Sequence, residues 1–455
     1  MLTANELFDE AYYLNSNSDV AVAVSRGEFS TGFLHYNQFG QFEQRDPSAY
    51  FDTSYYLQKY QDVASEVNAG KTTAFTHFIN FGQIEDRNPN QLFDTKYYLQ
   101  QYQDVAAAVN TDILTGIQHF IEFGDREGRA PSSFVDTNFY LGRNTDVANA
   151  VKQGTIGATE HFIAFGSKEG RIPRQLFDKI YVFGDSQSDD GNLYAILGGF
   201  LPPSPPYFGG RFTNGRVWTE YLAPQLALPV DPANNFAIGG AQTGNEDVIS
   251  FEGAPPAPPL QKQVDNFVAT HPVADPKALY VVYAGGNDYL VGGATEAGPT
   301  INNLATAVTK LAAIGGKNFM MPNLPNPSGS PFSVSQSPEF QQSYTQLVDQ
   351  HASILAATIP NLEKSLNINI IPVDFTGFLR QVRANPQNYG ITNLGNVVPG
   401  AGGSPEVANF TLPPGVNPDQ YLYWDLAHLS THTHQLISEA ALRATTAIGE
   451  VVEIL

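Results

Sequence analysis

Two textures along the chain predict an α/β fold with a central parallel sheet, preceded by an α-helical repeat domain. Beyond residue 175, apolar strand-like runs at 180–184, 279–284, 318–321 and 368–373 alternate with helix-like stretches, among them 301–314 and about 339–357. Such alternation marks parallel strands joined by crossover helices. The first 174 residues instead repeat one unit four times. A unit of about 42 residues cannot bury a core alone, so the copies must stack or share one. The change of texture near Pro173-Arg174-Gln175 gives a repeat domain at 1–174 and a second domain at 175–455.

Each repeat reads as a helical pair. His35, His77, His119 and His161 recur in step with Arg45, Arg87, Arg129 and Arg171. An aspartate opens every copy (Asp9, Asp52, Asp94, Asp136) and suits a helix N-cap. Tyr98, Leu99, Val105 and Val109 fall at helical intervals, and Gly124 suits the left-handed residue that ends a second helix at Phe123. Pro47, Pro89, Pro131 and Pro173 close the units. One histidine per repeat stands too far from its counterparts for a shared metal, so each is expected to pack among aromatics and hydrogen-bond locally. The Glu and Arg of each tail are expected to form a local ion pair.

Composition excludes several function classes. Across 455 residues there are 24 Lys and Arg against 45 Asp and Glu, a net charge of −21 spread over both halves. That argues against nucleic acid, whose phosphates demand clustered basic residues, and against an anionic lipid surface. With no cysteine there is no disulfide, thiolate metal site or cysteine nucleophile. Met1 to Glu6 lacks the basic start and long apolar core of a Sec-type signal peptide, and no apolar run reaches membrane-spanning length. Glu450 to Leu455 reads either as an uncleaved C-terminal secretion signal or as the end of a helix.

The chemistry-bearing residues cluster just after the predicted strands, where ligands bind in open α/β sheets. Ser186 follows the run 180–184 and enters a polar turn, the address of a nucleophile. Asp425 and His428 supply an acid and a base three residues apart, the set needed to activate a serine hydroxyl. The glycines of Asn235-Phe236-Ala237-Ile238-Gly239-Gly240 allow a backbone amide to approach a substrate. Asn287, after the second strand, adds a carboxamide donor for an oxyanion. Asp189 and Asp190 read as turn and capping residues, because the alternating ligands of a calcium loop are missing. His271, His351, His432 and His434 read as packing or surface residues. Phe208, Phe212, Trp218, Tyr289, Leu290, Trp424 and Leu426 flank the motifs and are candidates for an apolar pocket.

Taken in order, Phe183-Gly184-Asp185-Ser186, Asp189-x-Gly191-Asn192, Gly209-Gly210-Arg211-Phe212, Asn235-Phe236-Ala237-x-Gly239-Gly240-Ala241, Gly285-x-Asn287-Asp288 and Asp425-x-x-His428 resemble the GDSL/SGNH hydrolases in their bacterial lipase and thermolabile-hemolysin-like branch. The resemblance implies a three-layer, flavodoxin-like domain and a serine ester hydrolase that needs no cofactor or metal. It implies Ser186 as nucleophile and first oxyanion amide, Gly240 or else Gly239 as second amide, Asn287 as side-chain donor, Asp425 as orienter and His428 as base. Gln187 stands where the family's name has leucine. The expected substrate is a small-molecule or lipid ester, with a carbohydrate acetylester or thioester as alternative, and a non-catalytic surface binding module as a different class. The repeats resemble units appended to secreted or surface bacterial proteins, which implies an extracellular or cell-surface location; their partner is unspecified.

Overall fold

The computed structural model describes all residues except 112, 247–255, 328, 400, 402–411 and 448–455. Met1–Gln175 belong to one compact unit and Leu176–Thr445 form a second. The expected secretion signal or helix end at 450–455 lies outside the described residues.

In the first unit each repeat is built from three helical pieces instead of a pair. Taking the third copy, Thr95–Gln101 and Gln103–Val109 are separate helices broken at Tyr102 (φ −120°, ψ 88°), so Tyr98 and Val109 do not share one helix. The third piece, Gly116–His119, runs directly into a π-helical turn, Phe120–Gly124. All four opening aspartates cap as expected, each carboxylate accepting the backbone N–H three residues on. Gly124 is not a left-handed terminator. Its α-carbon faces the Tyr98 hydroxyl, and a Cβ there would lie 2.1 Å from that oxygen. The same tyrosine hydroxyl meets His119 Nδ1 at 2.9 Å, with equivalents at His35, His77 and His161. The glycine is therefore demanded by the buried tyrosine wedged between it and the histidine. Each tail arginine pairs with its neighbouring glutamate and also with the aspartate of the Asp-Val pair, as Arg129 does with Glu127 at 2.7 Å and Asp104 at 2.9 Å.

The second unit is layered on a parallel sheet. Strands β1 (Ile180–Gly184), β2 (Leu279–Tyr283), β3 (Asn318–Pro322) and β4 (Asn369–Val373) lie in that order, in register from Ile180 opposite Leu279 to Pro322 opposite Val373. β1, β2 and β3 are buried at every position, as their unbroken apolar runs require when helices cover both faces. One face buries Tyr181, Phe183, Tyr280, Val282 and Met321 among helices Leu260–Thr270, Ala297–Ala313 and Pro338–Leu366. Against the other, Trp218 packs edge-on to Tyr283 and Phe375.

The segment 235–238 also pairs with β1, through Phe236 N–H to Val182 O (2.7 Å) and Ile238 N–H to Gly184 O (3.1 Å). It stands on the outer side of β1, so the chain visits the sheet in the order 2-1-3-4-5, the flavodoxin-like arrangement. Its topological switch lies at the carboxyl end of β1. The helix expected at 339–357 continues to Leu366 through Pro360 and stops at Asn367, which is left-handed at φ 53°. The proline removes one N–H but does not end the helix.

Candidate active site

β1 delivers Ser186 to the switch point through a crowded corner. A Cβ on Gly184 would lie 2.3 Å from the backbone oxygen of Tyr283 on β2, so only glycine lets the two strands pair that close to the serine. Asp185 then turns the chain, its carboxylate accepting Gln187 N–H at 3.0 Å, and burial pushes its carboxyl up to about 7. The buried Asp189 carboxylate organises the following turn by accepting the N–H groups of Gly191, Asn192 and Leu193. It also accepts Gly239 N–H at 2.7 Å, tying the Ser186 turn to the glycine turn. The expectation of a capping residue holds for Asp189.

His428 and Asp425 come from a tight loop stitched by its own backbone. Trp424 N–H donates to His428 O at 2.8 Å, and Asp425 Oδ1 accepts the N–H groups of Ala427 and His428. Asp425 Oδ2 faces His428 Nδ1 at 2.7 Å, and His428 Nε2 faces Ser186 Oγ at 2.9 Å. Residues 242 positions apart thus form one continuous chain of contacts. Burial pushes the Asp425 carboxyl up, but His428 and the hydrogen bonds from it and Tyr207 outweigh burial and leave it below the usual carboxylate range. Burial likewise opposes charge on His428, yet the Asp425 carboxylate holds the imidazole above its ordinary value.

Around the serine stand groups able to meet a developing oxyanion. Among the described residues, neither the Ser186 nor the Gly240 N–H has a protein acceptor. Gly240 occupies the third position of a turn closed by Ala241 N–H to Ile238 O, with φ +81°, a geometry suited to glycine. Gly239 differs, because its N–H is committed to Asp189. Asn287, on the short helix Gly286–Leu290, donates from Nδ2 to Ala241 O at 3.1 Å, which leaves its second amide hydrogen unspent.

Ser186, Asn287 and His428 together line one cleft. Its apolar walls are Tyr283, Leu290, Leu324, Phe332, Tyr344 and Tyr423. Of the flanking residues expected to form an apolar pocket, only Leu290 lines this cleft. Trp218 and Trp424 are buried in the core, Phe208 and Leu426 are exposed, and Tyr289 faces elsewhere. Phe212 instead packs its ring on His428, centroids 4.9 Å apart. Tyr207, which donates to Asp425 Oδ2 at 2.6 Å, carries no signal in the sequence, because nothing in spacing links it to a residue 218 positions away. The wall after β3, with Leu324, Pro325 and Phe332, carries no such signal either. His351 and His434 are buried, pushed down to about 4 and about 3 chiefly by burial, and so stay neutral. His432 hydrogen-bonds Tyr389 O, and His271 stacks on Phe267.

Gln187 reaches across to the His428 loop, Nε2 lying 3.4 Å from Ala427 O, while its buried Oε1 has no protein partner. The leucine of the family name would fill this place without either group.

The second unit is similar in sequence to known proteins. A thermolabile hemolysin of Vibrio parahaemolyticus is 26% identical over 284 residues, covering 60% of this chain and 65% of its own. A phosphatidylcholine-sterol acyltransferase of Aeromonas hydrophila is 26% identical over 307 residues, 58% of this chain and 88% of its own. The crystal structure of a lipolytic G-D-S-L protein from Veillonella parvula is 14% identical with a TM-score of 0.32, covering 58% of this chain and 96% of that one. The model of the GDSL-like lipase/acylhydrolase family matches residues 180–441, more than half of the sequence, and the chain belongs to that family.

Proposed function

We propose that the second unit hydrolyses carboxylic esters through an acyl-enzyme on Ser186. The observation that carries this reading is the contact chain Asp425 Oδ2, His428 Nδ1, His428 Nε2, Ser186 Oγ, with steps of 2.7 and 2.9 Å. His428 Nε2 takes the hydroxyl proton as Oγ attacks the ester carbonyl carbon, and Asp425 fixes the tautomer and stabilises the imidazolium. The carbonyl oxygen gains charge and is met by the N–H groups of Ser186 and Gly240 and by Asn287 Nδ2. We assign the second backbone amide to Gly240 because Asp189 occupies that of Gly239. His428 then returns the proton to the departing alcohol, and water repeats the cycle on the acyl-serine.

The apolar walls of the cleft favour an acyl group over a sugar ring, and relatives named as a hemolysin and a phosphatidylcholine-sterol acyltransferase support lipid esters. The resemblance of the repeats to appendages of secreted proteins supports work outside the cell or at its surface. The domain limits 1–174 and 175–455 belong to the same proposal, with the repeats serving attachment or delivery.

The test is covalent labelling by a serine-directed phosphonate together with hydrolysis of p-nitrophenyl esters. Ser186→Ala and His428→Ala should each cut turnover on the order of 10⁶-fold, without adding in the double variant. Undiminished hydrolysis by Ser186→Ala overturns the assignment.

A further inference from the structure

A second hollow adjoins the catalytic cleft within the same unit. Its walls include Tyr289, Phe340, Tyr344 and Leu347, with Ser343 and Gln350 among the polar lining residues. Tyr344 lines both spaces. The short helix Gly286–Leu290 serves both as well, since Asn287 and Leu290 face the cleft and Tyr289 faces the second hollow.

The two tyrosines between these spaces are held differently. Tyr289 is anchored, its hydroxyl 3.0 Å from Nδ1 of the buried His351. Tyr344 is 8% exposed on the helix Pro338–Leu366 and packs beside Phe340 with ring centroids 5.8 Å apart. Among the described residues its hydroxyl makes no hydrogen bond. An aromatic ring that separates two partly apolar spaces, held by packing alone, is a partition.

Resting on the esterase reading, we propose that Tyr344 sets acyl-chain length by closing the catalytic cleft off from this second hollow. The occupant is the acyl chain of the ester, not the alcohol. His428 must protonate the leaving alcohol, so the alcohol departs beside the loop 425–428, and no residue of that loop lines the second hollow. The elements that do bound it are the helix bearing Asn287, the oxyanion donor, and the helix bearing Tyr344.

The experiment compares full-length wild type with Tyr344→Ala on p-nitrophenyl esters from acetate to palmitate, and on acetate esters of alcohols of rising length. The variant should gain tenfold or more in kcat/KM on long acyl chains relative to short ones, the effect of burying about two further methylenes. Leu347→Trp added to Tyr344→Ala should refill the hollow and return the profile toward wild type. If the alanine variant does not fold, Tyr344→Leu carries the same expectation in smaller measure. An unchanged acyl profile with active enzyme overturns the partition alone, as does a shift confined to the alcohol series. No hydrolysis of any ester by wild type, with no phosphonate labelling, overturns the esterase reading and the partition with it.

Discussion

Gly239→Ala should disable the site without touching any reacting atom. The residue is not left-handed, so alanine meets no backbone objection. Its Cβ, however, would lie 2.2 Å from Phe212 Cε2, 2.6 Å from Cζ and 2.9 Å from Leu193 Cδ2, where ordinary contact begins at 3.4 Å. Phe212 must retreat by about 1 Å, the difference between those distances, because Leu193 is fully buried and has no room to yield. Phe212 is the ring that packs on His428. A displacement of about 1 Å at His428 breaks the 2.9 Å contact with Ser186, and misplacements of that size cost on the order of 10²-fold in rate. Overpacking should also cost about 1–3 kcal/mol of stability.

The assay is kcat and KM on a short p-nitrophenyl ester, with urea unfolding measured in parallel. The informative variant is the double one. Phe212→Leu alone should weaken the support of His428 modestly, yet in the Gly239→Ala background it removes the obstructing ring and should recover at least tenfold of the lost kcat. Such non-additivity is the signature of residues in direct contact. Full activity in Gly239→Ala, or a folded double variant no better than the single, would refute the argument that the glycine exists to seat Phe212 against the histidine.

Asn287→Ala should lower kcat by roughly 10²- to 10³-fold with little change in KM, since its free amide hydrogen meets charge that develops only in the transition state; a loss confined to KM would make it a substrate-positioning group. The acid limb of kcat/KM should lie above the ordinary imidazole value of about 6.5, because Asp425 raises His428 and the base must be neutral to accept a proton. Asp425→Asn should move that limb downward and cost on the order of 10⁴-fold in kcat, and a limb that stays in place would detach it from His428. A chain starting near Arg174 should fold and cleave small soluble esters at close to the full-length rate. A truncated protein that folds by circular dichroism and reacts with the phosphonate, yet loses most activity on those esters, would refute the division of labour between the halves.

What was legible in the sequence follows from how locally each feature is specified. β1 to β3 are buried on both faces, so they must be apolar at nearly every position, and 180–184, 279–284 and 318–321 announce themselves within a residue of their ends. Ser186, Asn287 and the Asp425-His428 pair were equally visible because each follows such a landmark or sits in a self-contained turn. Segment 235–238 reads in the sequence as a strand running into glycines, but nothing there marks it as the outer neighbour of β1. It makes two hydrogen bonds to β1 and then turns at once into Gly239-Gly240, too short to show a period.

The cleft walls were misread for the opposite reason, being specified by distance in space and not in sequence. Trp218 and Trp424 lie beside the candidate-site motifs along the chain but serve the core, Trp218 spending its indole N–H on Ser188 at 3.0 Å. Tyr344 and Leu324 come from a remote helix and an unmarked loop, and line the same cleft as Ser186 because parallel strands bring all their carboxyl ends to one edge. The repeat glycines make the same point. Gly124 has the sequence context of a helix terminator, and only the Tyr98 hydroxyl, arriving from the helix 95–101, shows that the absent Cβ and not the backbone angle is what matters. In each case what the sequence withholds is the partner in space that imposes the constraint.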